Sequence, residues 1–461
     1  MTETGSVARL PLFSDNHRME KDLTRGSVPG NLFRFSLPFL ASYFLQTLYG
    51  MADLVIIGQY EGVASTTAVS VGSQVMHMIT VMIVGLAMGS TVAISHAVGA
   101  GDRERAARDI GGTIAVFTLV AVALTVVLTV FRNGIVSVMS TPEEAVDGTA
   151  AYLQICFLGI PFITAYNIIS GIYRGLGDSR TPMFFVLAAC IANIVLDIIF
   201  MGPLSLGPAG AALGTTLSQA LSVVIALIHL SRSRSGLRVE RRYIRFDGEI
   251  ISPIFRTGLP IAAQDGLIQV AFIIITIIMN RRGLTDAAAV GIVEKVISFL
   301  FLVPSSILSS VSALCSQNIG AKKEKRADET LYWALFSAVV FGLAVSIIVQ
   351  FTAERVVSIF TTDEAVIVSG GQYLRGYVFD TLFAGIHFAF SGYFCAVNKA
   401  WISFMHNITA IVLMRIPGVY VLSNLYPDNL FPVGLATVSG SLLSAVICTV
   451  AFIILKRKRK S

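Results

Sequence analysis

Charged residues are scarce in this chain. Asp, Glu, Lys and Arg make up only 13% of its 461 residues, whereas about 25% is usual in soluble domains. Apolar residues make up 54%, and stretches of about 20 of them, long enough to cross a bilayer as a helix, recur along the sequence. So few charges cannot cover the surface of a soluble fold of this length. The sequence therefore predicts an all-α integral membrane protein.

Several features that would indicate other classes of protein are also missing. The sequence has no GxxxxGK[ST] loop, which argues against an ATP-driven pump, and its first 30 residues are too polar for a cleavable signal peptide. Its five cysteines lie in apolar runs without a CxxC pair, so no disulfide framework is implied. His77, His387 and His406 lack metal-ligand spacing. We therefore expect neither a cofactor nor a membrane enzyme.

The apolar runs predict twelve transmembrane helices. Gly and Pro occur in several runs, which is tolerated where neighbouring helices satisfy the freed backbone groups. The predicted spans are 31–58, 70–98, 110–131, 148–173, 181–201, 209–231, 252–280, 287–318, 330–351, 367–396, 402–423 and 433–455.

Lys and Arg are distributed unevenly between the two alternating sets of connections. One set, together with both chain ends, carries 25 of them, and the other carries four. Because positively charged loops stay in the cytoplasm, we expect a multi-pass protein of the cell membrane with both termini cytoplasmic. The net charge of +6 is spread between spans rather than gathered on one domain, which argues against nucleic acid as a partner.

An internal repeat relates the two halves of the chain. The segment "AVGAGDRERAARD" (97–109) resembles "NIGAKKEKRADET" (318–330) at an offset of 221 residues, and weaker matches hold nearly the same offset over much of the chain. Each half has six spans, so both halves enter the membrane from the same side. The halves are therefore expected to be parallel repeats, two six-helix lobes related by a pseudo-two-fold axis along the membrane normal.

These observations divide the chain into five predicted segments. They are a cytoplasmic N-terminal segment (1–30), an N-lobe of spans 1–6 (31–231), a basic cytoplasmic inter-lobe loop (232–251), a C-lobe of spans 7–12 (252–455) and a basic cytoplasmic tail (456–461). Anionic membrane lipid is the expected neighbour of the basic loop.

Polar residues at one depth of the N-lobe are the main functional signal, because a carboxylate inside a membrane is costly. Asp53 and Asp197 lie four or five residues from the predicted outer ends of spans 1 and 5. Asn193 lies one turn deeper than Asp197 on the same helix face, and Thr215 lies about six residues into span 6. All four are thus roughly 6–12 Å below their helix ends. Such oxygen ligands suit Na⁺, and two carboxylates could instead share a proton, so these residues form the candidate coupling site for H⁺ or Na⁺.

The C-lobe does not repeat this polar set. At the repeat offset, Ile275 and Gly418 stand where the N-lobe has its two acids. Asp265 and Asp380 are the candidate cavity acids of the C-lobe. Glu294 lies beside a lysine, so a neutralising ion pair explains it as readily as a function does.

The chain resembles the multidrug and toxic compound extrusion (MATE) family over about residues 30–455. The resemblance is carried by "LPFLASYFLQTLYGMADLVIIGQ" in span 1, "GAGDRERA" after span 2, "RGLGDSRTPM" after span 4, "NIVLD" in span 5 and "GPAGAALGTTLS" at the start of span 6. Two departures are His96, where the family often has Gln, and "CAVNKAWIS", which has lost most of a GxGDxxTP loop.

We expect the protein to be a monomer, and the resemblance implies an antiporter that exports amphipathic, mostly cationic small molecules by alternating access in exchange for H⁺ or Na⁺. It is closer to the bacterial and archaeal DinF-type branch, in which a cation site lies in the N-lobe; Asp53, Asn193, Asp197 and Thr215 match that site, although Thr216 is adjacent. The NorM-type branch uses C-lobe acids instead. The alternative function is a lipid-linked oligosaccharide flippase of the related superfamily, which the acidic N-lobe interior argues against.

Overall fold

The structure, a computed structural model, describes residues 22–232 and 241–460. Most of the predicted N-terminal segment, residues 233–240 of the predicted inter-lobe loop and Ser461 therefore lie outside the described residues. Within these ranges nearly every residue is helical.

Eight helices form the N-lobe. They are α1 (Val28–Tyr60), α2 (Val63–Gly99), α3 (Arg103–Val130), α4 (Arg132–Val138), α5 (Glu143–Leu158), α6 (Ile160–Gly175), α7 (Arg180–Met201) and α8 (Gly207–Arg232). A short 3₁₀ turn, Arg241–Tyr243, precedes the second lobe.

Nine helices and one π-helical segment form the C-lobe. They are α9 (Gly248–Asn280), α10 (Leu284–Leu300), α11 (Leu302–Gly320), α12 (Glu324–Ser358), α13 (Glu364–Tyr377), α14 (Asp380–Ala396), α15 (Ala400–Ala410), the π segment Ile411–Arg415, α16 (Ile416–Leu425) and α17 (Phe431–Lys460).

Helix length and composition confirm the prediction of twelve spans. Among the described residues, eleven helical stretches are long and apolar enough to cross a membrane, and the pair α5 and α6, bent by 47°, makes the twelfth. The sequence predicted span 4 as uninterrupted. The break follows from Pro161 at the start of α6, whose ring would clash with a carbonyl of the preceding turn.

The lipid-facing surface is apolar, as a membrane-spanning bundle requires. On α12 the exposed side chains Phe336, Val340, Leu343 and Ile347 recur every three or four residues and form one stripe. In water such a stripe would be covered by a partner. The exposed stripe is therefore consistent with a helix whose outer face contacts lipid.

Both lobes place equivalent tight turns at the same end of the bundle. Gly101 and Gly177 have positive φ, and so do Lys322 and Asn398, which follow them at the repeat offset of 221. A left-handed conformation is easiest for Gly and is tolerated by Asn. The turn in "CAVNKAWIS" thus keeps the backbone shape of its N-lobe counterpart although its glycine is lost. We call this end of the bundle the basic face.

The two lobes meet along a seam at the basic-face half of the bundle. Helix α2 packs along α9 and against α11, and α1 packs against α11. At the end of the seam, the Nε2–H of His96 donates to the carbonyl of Ala396 (2.7 Å), and the Nε2–H of Gln317 donates to the carbonyl of Gly175 (3.1 Å). The two donors, His96 and Gln317, are one repeat offset apart, and so are the two acceptors, Gly175 and Ala396. The two hydrogen bonds are therefore related by the pseudo-two-fold symmetry.

Candidate functional site

Asp53 lies in the interior of the N-lobe. Asp53 is 2% exposed, and it lies seven residues before the end of α1. The hydroxyl of Thr215, on α8, donates a hydrogen bond of 3.2 Å to Asp53 Oδ2. The packing of α1 and α8 therefore brings together two of the four residues that the sequence placed at one depth.

Helix α7 adds the other two residues. It packs against both α1 and α8, and it brings the side chains of Asp197 and Asn193 next to that of Asp53. Asn193 and Asp197 are 1% and 0% exposed. The structure thus brings all four residues of the predicted set into one buried cluster near the face opposite the basic face.

This cluster is short of hydrogen-bond partners. Asp53 Oδ1, both carboxylate oxygens of Asp197 and both polar atoms of Asn193 have no partner among the described residues, and neither acid forms an ion pair with a Lys or Arg of that part of the chain. Leaving a buried charge uncompensated costs several kcal/mol. Two such carboxylates can share a proton or hold a cation, and Asn193 and Thr215 would supply further oxygen ligands.

Gly214 leaves room for the side chain of Asp197 between α7 and α8. A Cβ at Gly214 would overlap Asp197 Oδ1, so α7 and α8 can approach only because this residue has no side chain. The neighbouring Thr216 packs instead against Gly159. A Cβ added at Gly159 would come within 2.7 Å of the methyl group of Thr216. Of the two adjacent threonines, therefore, Thr215 is the one whose hydroxyl reaches Asp53.

A second polar pair lies one turn away. Gln219 Nε2 donates to the hydroxyl of Tyr49 over 3.3 Å. Tyr49 precedes Asp53 by four residues and Gln219 follows Thr215 by four, so both pairs cross the same contact between α1 and α8. Sequence reasoning missed this second pair, although the four-residue spacing was a usable signal.

The two candidate cavity acids of the C-lobe lie apart from this cluster. Asp265 is half-buried on α9, where its Oδ2 would be 3.1 Å from a Cβ at Gly85 of α2, so it borders the seam. Asp380 is fully buried and forms an ion pair with Arg415. Glu294 does not pair with its neighbouring lysine; its Oε2 instead accepts a hydrogen bond of 3.4 Å from Thr276.

A metal-binding cluster is not evident in the described ranges. No group of three or more His, Cys, Asp or Glu side chains that could hold a metal ion occurs within residues 22–232 and 241–460. The N-lobe cluster instead combines two acids with an amide and a hydroxyl.

Comparison with known proteins adds evidence of two kinds. The sequence profile of the MatE family matches residues 38–199 and again residues 260–421, so one family unit occurs twice, in the register of the internal repeat. The chain is 26% identical to the probable multidrug resistance protein YoeA of Bacillus subtilis (strain 168), over 87% of this chain and 88% of that protein. It is 24% identical to the multidrug export protein MepA of Staphylococcus aureus (strain NCTC 8325 / PS 47), over 91% of each.

Solved structures share the fold. An outward-facing multidrug resistance MATE family transporter of the MOP superfamily superposes with a TM-score of 0.89 and 22% identity, covering 95% of this chain and 98% of that one. A MOP superfamily transporter from Pyrococcus furiosus Vc1 (DSM3638), described as having a binding pocket of reverse polarity, gives a TM-score of 0.90 with 22% identity and the same coverage. The twelve spans, the duplicated profile and these superpositions lead to one conclusion: the chain belongs to the MatE (MATE) family, and it is a multi-pass membrane transporter rather than an enzyme.

Proposed function

We propose that this protein is a secondary active multidrug antiporter that exports amphipathic, mostly cationic compounds in exchange for H⁺ or Na⁺. The observation that carries the proposal is the pair of buried, uncompensated carboxylates of Asp53 and Asp197. The names of the relatives, a multidrug resistance protein and a multidrug export protein, support the substrate class.

The N-lobe cluster suits ion coupling because its electrostatic balance depends on a bound cation. Without a proton or Na⁺, two negative charges would face each other in a medium of low dielectric constant. A bound ion removes that repulsion and uses the free oxygen atoms of Asn193 and Asp197. The ion gradient would thus act on the packing of α1, α7 and α8, the helices that carry the cluster.

Alternating access requires two lobes that can separate on one side. The seam joins the lobes in the basic-face half, where glycines allow direct contact between backbones: a Cβ at Gly99 would overlap the carbonyl oxygen of Gln317, and one at Gly320 would overlap that of His96. We assign the basic face to the cytoplasm, because its connections carry the excess of Lys and Arg. With this assignment the closed seam would block access from the cytoplasm, and transport would open it.

The remaining features of the proposal follow from this arrangement. Both termini would be cytoplasmic, the protein would lie in the cell membrane, and one chain would suffice because each lobe supplies half of the central cavity. A flippase for anionic lipid-linked oligosaccharides is disfavoured, because the acidic N-lobe interior would repel phosphate.

Efflux from proteoliposomes tests the proposal. A cationic amphipathic dye should leave the lipid vesicles when an inward H⁺ gradient or an inward Na⁺ gradient is imposed separately, and one of the two should suffice. Asp53→Asn and Asp197→Asn should abolish gradient-driven efflux. Asp147→Asn, which makes the same change at an exposed acid of α5, is the matched control. Full gradient-driven efflux by Asp197→Asn would refute the coupling role of the cluster.

A further inference from the structure

A polar cavity lies inside the C-lobe. It has a volume of about 40 Å³, and its wall combines the polar side chains of His387, Asn407 and Arg415 with the aromatic rings of Phe301 and Phe388. A cavity needs about 10–15 Å³ on this scale to hold one water molecule. This one therefore has room for a small polar group whose apolar continuation would contact the rings.

Arg415 is the charged group of this cavity. It is 7% exposed and lies well inside the predicted span of residues 402–423, where an arginine is costly and indicates a function by default. Its Nη2 forms an ion pair with Asp380, and its Nε donates to the carbonyl of Thr437 over 3.4 Å. Its Nη1 makes no hydrogen bond with the described residues, so one edge of the guanidinium is left for a ligand.

The backbone at Arg415 is also unusual. Arg415 ends the π-helical segment Ile411–Arg415, and Ile411 lines the cavity as well. Pro417, two residues later, cannot donate the usual helical hydrogen bond to residue 413. Single π-helical turns of this kind are frequent at functional sites. Here the irregular turn helps to bring the guanidinium to the cavity wall.

His387 supplies a second unpartnered group. It is 4% exposed, it lines the same cavity, and its Nδ1 has no hydrogen-bond partner among the residues the structure describes. Its ring packs against His406 with a centroid distance of 5.3 Å, while His406 Nε2 is engaged with Ser391 at 3.0 Å. His406 Nδ1 also has no partner among the described residues, but of the two histidines only His387 lines the cavity.

The two lobes differ in charge near related positions. At the repeat offset of 221, Arg415 corresponds to Ile194, which lies directly after Asn193 of the N-lobe cluster. The helix that carries amide and carboxylate ligands in one lobe thus carries a guanidinium in the other. A substrate with a cationic end and an anionic end would match this pattern.

We propose that the C-lobe cavity binds the carboxylate of zwitterionic amphipathic substrates, with Arg415 and His387 as its hydrogen-bond donors. Asp380 fixes the guanidinium through Nη2, and the substrate carboxylate binds at the free edge, while the aromatic walls contact the body of the substrate. This inference rests on the proposed export function and narrows its substrate class. Charge-assisted hydrogen bonds from a guanidinium are strong and directional.

The test uses two dyes that differ in one group: a rhodamine with a free benzoate, and its methyl ester. Binding of each to the full-length protein in lipid nanodiscs is measured by fluorescence polarisation. Arg415→Lys keeps a cation opposite Asp380 but loses the forked geometry. The acid-to-ester affinity ratio should fall about tenfold to hundredfold in this variant. His387→Gln, which leaves the ion pair intact, should lower the ratio by a smaller factor.

Arg174→Lys is the matched control. Arg174 is another buried arginine, stacked 4.4 Å from the ring centroid of Phe39 near the seam, and its replacement should leave the acid-to-ester ratio at the wild-type value. A wild type that does not prefer the acid, or an unchanged ratio in both Arg415→Lys and His387→Gln, would overturn the inference. Ion-driven efflux of the ester is measured in parallel, because its failure would count against the antiporter proposal and not against this pocket.

Discussion

The seam glycines allow a direct test of whether the lobes separate at the basic face. Gly99 of α2 and Gly320 of α11 are repeat equivalents, and each lies against the backbone of the other lobe. A Cβ at Gly99 would come within 2.7 Å of the carbonyl carbon of Gln317, and one at Gly320 within 3.0 Å of that of His96. The neighbouring atoms belong to main chain, so no side-chain rotation can relieve either clash. Gly99→Ala and Gly320→Ala should therefore wedge the seam apart.

The size of the effect follows from the cost of overpacking. Extra methyl groups in tightly packed contacts cost about 1–3 kcal/mol. The clash exists only while the seam is closed, so the cost shifts the balance between the closed and open seam by the same amount. This corresponds to an increase of about 5- to 150-fold in the ratio of open to closed molecules. Helix propensity favours Ala by up to about 1 kcal/mol, but it applies equally to the closed and the open seam and therefore leaves this balance unchanged.

Cys395 is a natural reporter for this opening. It is fully buried in a cluster that joins Val92 of α2 to the C-lobe. In a variant whose other four cysteines are replaced by alanine, its reaction with a maleimide should accelerate in proportion to the open population. Gly291→Ala, at a helical glycine with no atom within 4 Å of the added Cβ, should label at the parent rate. Unchanged labelling of a folded Gly99→Ala variant would refute the idea that the seam is the moving gate.

Three further predictions concern the N-lobe cluster and the seam. Thr215→Val removes the hydroxyl that donates to Asp53. The ion concentration that gives half-maximal dye efflux should therefore rise about tenfold, whereas Thr216→Val should leave that concentration nearly unchanged. Gly214→Ala should abolish ion-coupled efflux without removing any polar atom, because the new methyl group displaces a carboxylate of the cluster; retained coupling would contradict the assigned packing. His96→Gln should keep the seam closed in the cysteine-labelling assay because an amide can still donate across it, whereas His96→Ala should accelerate labelling.

The fold was largely predictable because its main signals are long and redundant. Hydropathy over about 20 residues indicates each span, and the internal repeat predicts the same six-span arrangement in both halves independently. The breaks within spans were not predictable. Pro161 lies at a 47° bend, whereas Pro38 lies inside the continuous helix α1. Whether a proline interrupts a helix depends on the packing of its neighbours, which local sequence does not contain.

That the four candidate residues lie close together was predictable from the sequence, but their individual contacts were not. Depth along separate helices was enough to select Asp53, Asn193, Asp197 and Thr215, because residues at one depth can meet once the helices pack. Depth does not reveal which residues allow that packing, as Gly214 does. The ion pair of Asp380 was equally hidden, because its partner lies on a different helix and belongs to no sequence motif.

Equivalent residues of the two halves still make equivalent contacts at the seam, whereas the residues inside the two lobes differ. Packing geometry explains this difference. Each lobe meets the other through the same pair of surfaces, so a seam contact uses both copies of the repeat, and Gly99 and Gly320 must both stay small for the helices to touch. A position inside one lobe has no such partner, and Arg415 and Ile194 can differ freely. Ion coupling can therefore reside in one lobe alone, provided that its effect reaches the other lobe through the seam. The hydrogen bonds of His96 and Gln317, and that between Tyr43 and Ser309, are polar contacts that cross this seam.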